Sequence, residues 1–315
     1  MTRFTSWLAI LAVPVALDAY ASPAEAQLSR TFVSATVGND ANNCDRPTPC
    51  RTFQAAHDKT NPDGEITVLD TGGYGAVTIT KSISIVSEVG EASVLVSGGA
   101  TGIIVNAGAA SYVNLRGLTI QGIGFGGGTG LVFNSGFTLT MTNCVVRNHT
   151  GNGIIFQPSI DSHLSVSNTL VADNGVSGIW VHPSGNLPTI KATFNRVEAY
   201  NNSLDGILVD AFAESVFLLA TVVDSVAAGN GKVGFAALGT NTRTDLMVIR
   251  SVAVNNSTGL LANGQVVSLL LSQSTVADNT TSWLAQNNGR VQSYGDNNID
   301  LNFDQNPGPP VIPRK

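Results

Sequence analysis

The sequence predicts an all-β protein folded as a solenoid of stacked coils, and two repeating markers and the composition support this. The first marker is a glycine followed by an apolar run, as in "TGLVFN", "NGIIFQ" and "DGILVD". Successive copies are 28, 23, 25, 28, 28, 25 and 23 residues apart. The marker positions are Gly102, Gly130, Gly153, Gly178, Gly206, Gly234 and Gly259, with Ser282 in the last copy. A recurring period in this range indicates a repeat architecture.

The second marker is an asparagine upstream of each later glycine, as in "LVADN" and "VAAGN". Each unit is too short for a strand–helix–strand crossover and holds two or three short β-type runs separated by Gly, Asn and Ser. Each unit is therefore predicted to be one coil, and the chain to form about eight to ten coils spaced about 4.8 Å apart. The predicted ladder of stacked asparagines comprises Asn148, Asn174, Asn201, Asn230, Asn256 and Asn279.

Side-chain alternation along the strands predicts which residues fill the interior. Residues one and three positions after each glycine should point inward. They are Ile103, Val105, Leu131, Phe133, Ile154, Phe156, Ile179, Val181, Ile207 and Val209. A second inward row of small residues is predicted two positions before each ladder asparagine. It comprises Val146, Ala172, Ala199, Ala228, Val254 and Ala277.

Asparagine at one register has a physical reason. A coil must turn sharply in the same way each time, and Asn tolerates the left-handed backbone that such a turn requires. Its amide can also bond neighbouring coils or nearby backbone, which satisfies polar atoms that would otherwise be buried alone.

Composition and charge exclude several classes of protein. Charged residues make up 12% of the 315 residues, and the abundance of β-branched and turn-forming residues favours β structure over disorder or a helical bundle. The net charge of −6 offers no basic face for nucleic acid. The stretch "GIGFGGG" from Gly122 matches a dinucleotide-binding pattern, but a β-type run follows it where that motif needs a helix, so a turn is predicted.

The first 26 residues have the features of an export signal. Arg3 precedes the apolar run Trp7–Leu17, and Ala24 and Ala26 form a small-residue cleavage site. An uncleaved anchor is the alternative. No later segment has the length of a membrane helix, so no stable membrane insertion is expected after cleavage, and the protein is predicted to be periplasmic or extracellular.

The three cysteines divide into a pair and a single residue. Cys44 and Cys50 flank the short loop "CDRPTPC" and could close a disulfide in an oxidising compartment. Cys144 has apolar neighbours and is predicted to be buried. A metal site is not indicated, because four ligands are needed and only His57 lies near the first loop.

These features resemble the right-handed parallel β-helix proteins of the pectate-lyase-like superfamily, over about residues 31–298. The opening "TFVSATVGNDANNCDRPTPCRTFQAAHD" is similar to the start of many exported members. The resemblance implies a right-handed solenoid over residues 65–298 and an N-terminal cap over residues 27–64, with a short helix near Thr52 to Lys59. The Pro-rich segment 299–315 is expected to be a mobile tail.

The superfamily resemblance also bears on function. Its members include polysaccharide lyases, hydrolases and epimerases as well as adhesins, so the fold alone does not settle the activity. The lyases bind Ca²⁺ through carboxylates from adjacent coils and use a basic residue as the proton acceptor. Ca²⁺ is therefore implied by resemblance only, since no residue pattern in this chain indicates a cofactor and no paired carboxylates are evident.

The strongest candidate site lies on the outer face of the strand that follows each repeat glycine. Residues two and four after each glycine should point outward, which places Trp180, His182 and Asp210 on one face with Gln157 beside them. An indole beside polar groups suits a sugar ring, and His182 with Asp210 could transfer protons. The alternative is a structural surface row in which Trp180 is covered by a loop.

Three functions remain open at this stage. The first is an exported protein that binds glycans or another cell-surface component without catalysing a reaction. The second is a carbohydrate-active enzyme, a lyase or a glycosidase, that uses His182 and Asp210. The third is a structural or adhesive surface protein.

Overall fold

The protein is a right-handed parallel β-helix in the computed structural model, which describes residues 28–211, 215–240 and 242–314. Within these residues the strands form a nine-stranded sheet and a nineteen-stranded sheet. Each pair of strands that stack between coils is parallel, as in Leu131–Phe133 against Ile154–Phe156. The predicted export signal, residues 1–26, lies outside the described residues.

The described strands are, in chain order, β1 Leu28–Val33, β2 Thr60–Val68, β3 Gly72–Gly73, β4 Val77–Ile79, β5 Ile83–Val86, β6 Ala92–Val96, β7 Ile103–Asn106, β8 Tyr112–Arg116, β9 Leu118–Gly122, β10 Leu131–Ser135, β11 Thr138–Thr142, β12 Val145–Arg147, β13 Ile154–Phe156, β14 Ser162–Ala172, β15 Ile179–Val181, β16 Asn186–Tyr200, β17 Ile207–Ala211, β18 Ser215–Val223, β19 Val226–Ala228, β20 Val233–Gly239, β21 Thr244–Ile249, β22 Val252–Val254, β23 Thr258–Asn263, β24 Val267–Ser272, β25 Thr275–Ala277, β26 Thr281–Gln286, β27 Arg290–Ser293 and β28 Asn298–Asp300. A 3₁₀ turn covers Ile123–Phe125, and one α-helix, α1, covers Phe53–Lys59.

One coil illustrates the path of the chain. Strand β15 belongs to the nine-stranded sheet, and a loop leads from it to β16 in the larger sheet. Strand β16 bends where Arg196 has a φ of +53°, and it ends at Tyr200, directly before Asn201 with its φ of +51°. The chain then enters β17, which stacks on β15. Two left-handed corners per coil therefore separate the strands.

The interior of the nine-stranded sheet matches the sequence prediction. Ten residues are predicted to point inward, one and three positions after the repeat glycines that precede β7, β10, β13, β15 and β17. All ten are 0% exposed. Equivalent side chains stack along the axis, and the rings of Phe133 and Phe156 lie 4.5 Å apart between centroids. Burial of these stacked apolar side chains is the main force that holds the coils together.

The asparagine ladder is present, but two of its predicted members were assigned one residue too early. The side-chain amides bond from coil to coil at 2.9–3.1 Å through Asn174, Asn202, Asn230, Asn256, Asn279 and Asn302. Asn148 and Asn201 precede this row and have φ values of +61° and +51°. His149 occupies the ladder position in the coil before Asn174, and its backbone N–H donates to Asn174 Oδ1 at 3.3 Å.

The left-handed backbone and the ladder amide thus belong to two adjacent residues rather than to one. The residue before each ladder position, such as Asp173 or Gly229, has the positive φ that turns the chain, and the ladder side chain then points inward. The inward small row consequently lies three positions before the ladder, where the prediction placed it at two. It comprises Val146, Val171, Ala199, Ala227, Ala253 and Val276, each at most 1% exposed.

A second ladder, which the sequence analysis missed, lines the other corner. Ser225 Oγ accepts a hydrogen bond from Val197 N at 3.0 Å, and Ser251 Oγ and Ser274 Oγ each accept from the preceding coil at 3.1 Å. Serine follows the left-handed corner residue in these coils, just as asparagine does at the first ladder. Both corners therefore satisfy buried backbone donors with side-chain oxygens.

The N-terminal segment packs against the first coils. Helix α1 begins at Phe53 after Thr52, whose Oγ1 accepts from Ala55 N at 3.2 Å as an N-cap. It buries Phe53 and Ala56, and the ring of Phe53 lies 5.0 Å from that of Tyr74. Cys44 and Cys50 are joined in a disulfide, and Cys144 is a buried free thiol.

The C-terminal segment lies against the last coil, and its mobility stays a prediction. Trp283 Nε1 donates to the Pro307 carbonyl at 2.9 Å, and Ser282 N donates to Asp304 Oδ2 at 2.8 Å. Val311 forms a parallel bridge with Ser293. The proline content argued against a strand ladder, but the carbonyls around prolines still accept hydrogen bonds.

Candidate functional site

The coil register brings the predicted site residues onto one face of the nine-stranded sheet. Trp180 stacks between Ile155 and Leu208 of the adjacent coils, and the chain path places His182 beside Asp210 in the same way. The outward direction of these residues follows from the burial of Ile179 and Val181 on either side of Trp180.

Trp180, His182 and Asp210 make direct contacts with one another. The imidazole stacks on the indole with centroids 4.4 Å apart and an interplanar angle of 22°. Trp180 Nε1 donates to Asp210 Oδ2 at 3.3 Å, and His182 Nδ1 lies 3.2 Å from the same oxygen. The His182 side chain is 30% exposed and that of Asp210 is 11% exposed, so the histidine is the accessible member of the pair.

Gln157 belongs to a different set of contacts from the one predicted for it. Its amide nitrogen donates to Asn134 Oδ1 at 2.7 Å, and Asn134 in turn donates to Asn106 Oδ1 at 2.8 Å. These residues lie four positions after their glycines, as His182 and Asp210 do. The outer row therefore runs as a chain of amides over three coils and continues into the His182–Asp210 pair.

An apolar row lies beside this polar row. It consists of the residues two positions after each glycine, which pair in register from coil to coil: Ile104, Val132, Ile155, Trp180, Leu208, Ala236, Leu261 and Leu284. Trp180 packs at the edge of a buried cluster on this face that contains Leu208 and Ala236. Leu208, Ala236 and Leu261 are at most 8% exposed, so the accessible part of the row runs from Ile104 to Trp180. This part places half-buried apolar side chains next to hydrogen-bonding groups, which is the pattern of many ligand sites.

Asp205 is a candidate residue that the sequence analysis did not single out. It precedes the repeat glycine Gly206 and is 2% exposed, and its Oδ2 accepts a hydrogen bond from Ser177 Oγ at 3.3 Å. Its Oδ1 is buried without a hydrogen-bond partner among the described residues. Burial raises the pKa of the Asp205 carboxyl, and the nearby charge of Asp210 raises it further, against opposing contributions led by Lys232. The signal in the sequence was an acidic residue directly before a repeat glycine, a position occupied by Thr, Asn, Ser or Val in the other coils.

The arrangement has two chemical capacities. The apolar row and the amide row can contact the C–H face and the hydroxyls of a sugar at the same time. The carboxylate of Asp210 lies 3.2 Å from His182 Nδ1 and orients the imidazole, which can accept or donate a proton.

The superfamily resemblance allows a Ca²⁺ site built from carboxylates of adjacent coils. Among the residues that the structure describes, no group of three or more His, Cys, Asp or Glu side chains could hold a metal ion. The oxygen of Asp210 nearest the patch is already engaged by Trp180 and His182. We therefore assign no step to Ca²⁺.

Comparison with known proteins agrees with this architecture. Residues 65–249, more than half of the chain, match the family described as "Right handed beta helix region". The chain belongs to this family. No curated protein matches the sequence of this β-helix protein.

Solved structures of similar shape share little sequence with the β-helix protein. Alginate lyase from Paenibacillus sp. has a TM-score of 0.61 at 14% identity, with 86% of this chain and 95% of that chain covered. Pectate lyase Pel9A has a TM-score of 0.57 at 18% identity, with 86% and 77% covered. The A-module of mannuronan C-5 epimerase AlgE4 from Azotobacter vinelandii has a TM-score of 0.50 at 14% identity, with 80% and 91% covered. At sequence identities this low, the structural similarity shows a shared fold and nothing further.

Within the described residues of the β-helix protein, no helix is both long and apolar enough to cross a bilayer.

Proposed function

We propose that the protein binds glycans, or another carbohydrate component of a cell surface, along the outer face of its nine-stranded sheet. The contact between Trp180, His182 and Asp210 supports this most directly, because it places an aromatic ring next to two hydrogen-bonding side chains on a stacked face. The amide chain that ends at Gln157 extends the polar row to neighbouring coils. Three solved structures with this fold are polysaccharide lyases or an epimerase, which favours carbohydrate as the ligand class.

A glycan array with the mature protein tests this proposal, with Trp180→Ala as the diagnostic variant. Loss of the indole should weaken binding to the best glycan about tenfold, which is the effect of removing one aromatic contact. Phe217→Ala is the matched control, because Phe217 is an exposed aromatic residue on the other sheet, and it should leave the affinity unchanged. Equal affinities for Trp180→Ala and the wild-type protein would show that the site lies elsewhere.

A second candidate is a carbohydrate-active enzyme, a lyase or a glycosidase. The 3.2 Å separation between His182 Nδ1 and Asp210 Oδ2 favours it, since a carboxylate in that position orients an imidazole for proton transfer. Incubation with a panel of polysaccharides should then release unsaturated or reducing-end products, and His182→Ala should abolish the release. Binding without products would retain the first candidate, and neither result would leave a structural or adhesive role.

The proposed location is the periplasm or the cell exterior. Arg3, the apolar run Trp7–Leu17 and the small residues Ala24 and Ala26 support this, as does the disulfide between Cys44 and Cys50. N-terminal sequencing of protein recovered from outside the cytoplasm should give Gln27 as the first residue. A retained Met1 in that fraction would indicate an uncleaved anchor instead.

A further inference from the structure

A second set of aromatic side chains lies on the other sheet. Tyr112, Phe137 and His163 form a continuous group of rings, which we call the aromatic shelf. The Tyr112 and Phe137 centroids are 5.5 Å apart at 68°, and the Phe137 and His163 centroids are 5.0 Å apart at 37°. Tyr112 is 52% exposed, and the other two rings are half-buried.

The strand register explains why the rings meet. Tyr112 pairs with Thr138 in the next coil, and Thr138 pairs with His163 in the coil after that. Phe137 directly precedes Thr138 and fills the space between the two outer rings. The shelf therefore spans three coils, or about 10 Å along the axis at the inter-strand spacing of about 4.8 Å.

Rows of hydroxyl and amide side chains border the shelf. The residues two positions further along these strands, Asn114, Thr140 and Ser165, face outward in one register, and Thr193 and Thr221 continue the row. Asn114 Nδ2 donates to Ser84 Oγ of the previous coil at 3.3 Å, which fixes the start of the row. A ligand seated on the shelf would meet a hydrogen-bonding group in every coil.

The charges on this face select among ligand classes. The strand stretches 112–116, 138–142, 162–167, 189–195 and 216–223 contain no Asp or Glu. Of their cations, Arg116 is paired with Glu88 at 3.4 Å, and Lys191 lies beside His163 in register. Exposed rings bordered by neutral hydroxyls match the alternating C–H faces and hydroxyl edges of a neutral sugar chain, whereas a protein partner would need a wider apolar area.

We propose that the aromatic shelf and its hydroxyl rows form a second carbohydrate-binding surface, which takes an extended neutral oligosaccharide running along the solenoid axis. A β-1,4-linked chain suits the surface, because its residues repeat at a distance close to the coil spacing of about 4.8 Å. The surface is on a different sheet from Trp180, so the proposal does not depend on the proposed function of that site.

Calorimetric titration with a β-1,4-linked glucose hexamer and a β-1,4-linked mannose hexamer tests the proposal. At least one hexamer should bind, and Tyr112→Ala should weaken its affinity about tenfold, while Tyr112→Phe should stay within about twofold because the ring is kept. Phe217→Ala is the matched control, since Phe217 is an exposed aromatic residue on the same sheet outside the shelf, and it should leave the affinity unchanged.

Trp180→Ala separates the two surfaces. Affinity that falls with Tyr112→Ala and not with Trp180→Ala assigns the hexamer to the shelf. Affinity that falls with Trp180→Ala alone would overturn the second surface and leave the proposed function standing. Binding of neither hexamer would also overturn the second surface. A change in oligomeric state with Tyr112→Ala, without a change in hexamer affinity, would overturn it too, because the shelf would then be a contact between copies of the chain.

Discussion

The asparagine ladder and the outer row of the nine-stranded sheet are both produced by stacking, yet they differ in how strictly they repeat. The ladder keeps the same residue type in six successive coils, from Asn174 to Asn302. The outer row, four positions after the glycines, changes in almost every coil. It comprises Asn106, Asn134, Gln157, His182, Asp210, Leu238, Asn263 and Gln286.

The comparison shows at which positions the coil requires one residue type and at which positions the residue type can vary. Every coil has the same corner to close, and the same buried backbone groups need partners there, so the same side chain recurs. On the outer face the backbone groups are satisfied by the sheet itself, and the side chain is unconstrained by the fold. The coil therefore does not require His182 beside Asp210, and the proposed function gives this pair a role in binding.

The largest effect is expected from breaking the ladder at its centre with Asn230→Ala. The buried amide of Asn230 donates to Ala199 O and Asn256 Oδ1, each at 3.0 Å, and accepts from both nitrogens of Asn202. Several buried groups would lose their partners, so the free energy of unfolding should fall by about 3–5 kcal/mol in urea denaturation.

Asn201→Gly is the control for the ladder experiment. Asn201 is exposed and has the left-handed backbone that glycine adopts without strain, so the free energy of unfolding should change by less than about 0.5 kcal/mol. A loss as large as that of Asn230→Ala would mean that the turn residue, rather than the ladder amide, stabilises the corner.

A smaller effect is expected where the ladder departs from asparagine. His149 is 1% exposed, its Nε2 pairs with Ile120 O at 3.2 Å, and its Nδ1 has no hydrogen-bond partner among the described residues. Burial lowers the pKa of His149. The folded state then binds fewer protons than the unfolded state, so stability should be lost as the pH falls below about 6.5, the pKa of an unperturbed histidine.

His149→Asn should remove this acid sensitivity by continuing the ladder toward Asn174. Denaturation curves at pH 7 and pH 5 should differ less for the variant than for the wild-type protein, with stability at pH 7 changed by about 1 kcal/mol or less. An unchanged difference between the two pH values would assign the acid sensitivity to another group.

The smallest stability effect is expected at the buried carboxyl of Asp205. The pKa of this carboxyl is raised above the ordinary value of 3.8, mainly by burial. The folded state therefore binds more protons, and the stability that this provides is lost as the pH rises through the folded pKa. Asp205→Asn should raise the melting temperature at pH 7 and leave it nearly unchanged at pH 3, and a lower melting temperature at pH 7 would show that the charged form is the one stabilised.

The sequence was sufficient to predict the solenoid, the inward residues of the first strand and the face that carries Trp180. These follow from the glycine spacing and from alternation, which are local properties of the chain. The ladder was misassigned at Asn148 and Asn201, because two asparagines adjoin in "YNNS" and a histidine replaces the ladder residue in "RNHT". The turn residue and the ladder residue both favour Asn, so composition alone could not separate them.

Other features depended on contacts between distant parts of the chain. The hydrogen-bond partner of Gln157 is Asn134 rather than a residue of the Trp180 group. The sequence places Gln157 in the outer row but does not give the direction of its side chain. The burial of Asp205 depends on its neighbours in adjacent coils, which include Ser177. The attachment of the C-terminal segment depends on carbonyl acceptors such as that of Pro307, which sequence patterns for strands do not consider.

The central claim is that the outer row carries binding while the corners carry stability, and Asp210→Asn tests it most directly. The substitution keeps the shape of the side chain and removes its charge beside His182. Affinity for the best glycan and the free energy of unfolding should be measured on the same preparation. The account predicts that affinity falls about tenfold while the free energy of unfolding changes by less than about 1 kcal/mol. An unchanged affinity, or a loss of stability as large as that of Asn230→Ala, would contradict it.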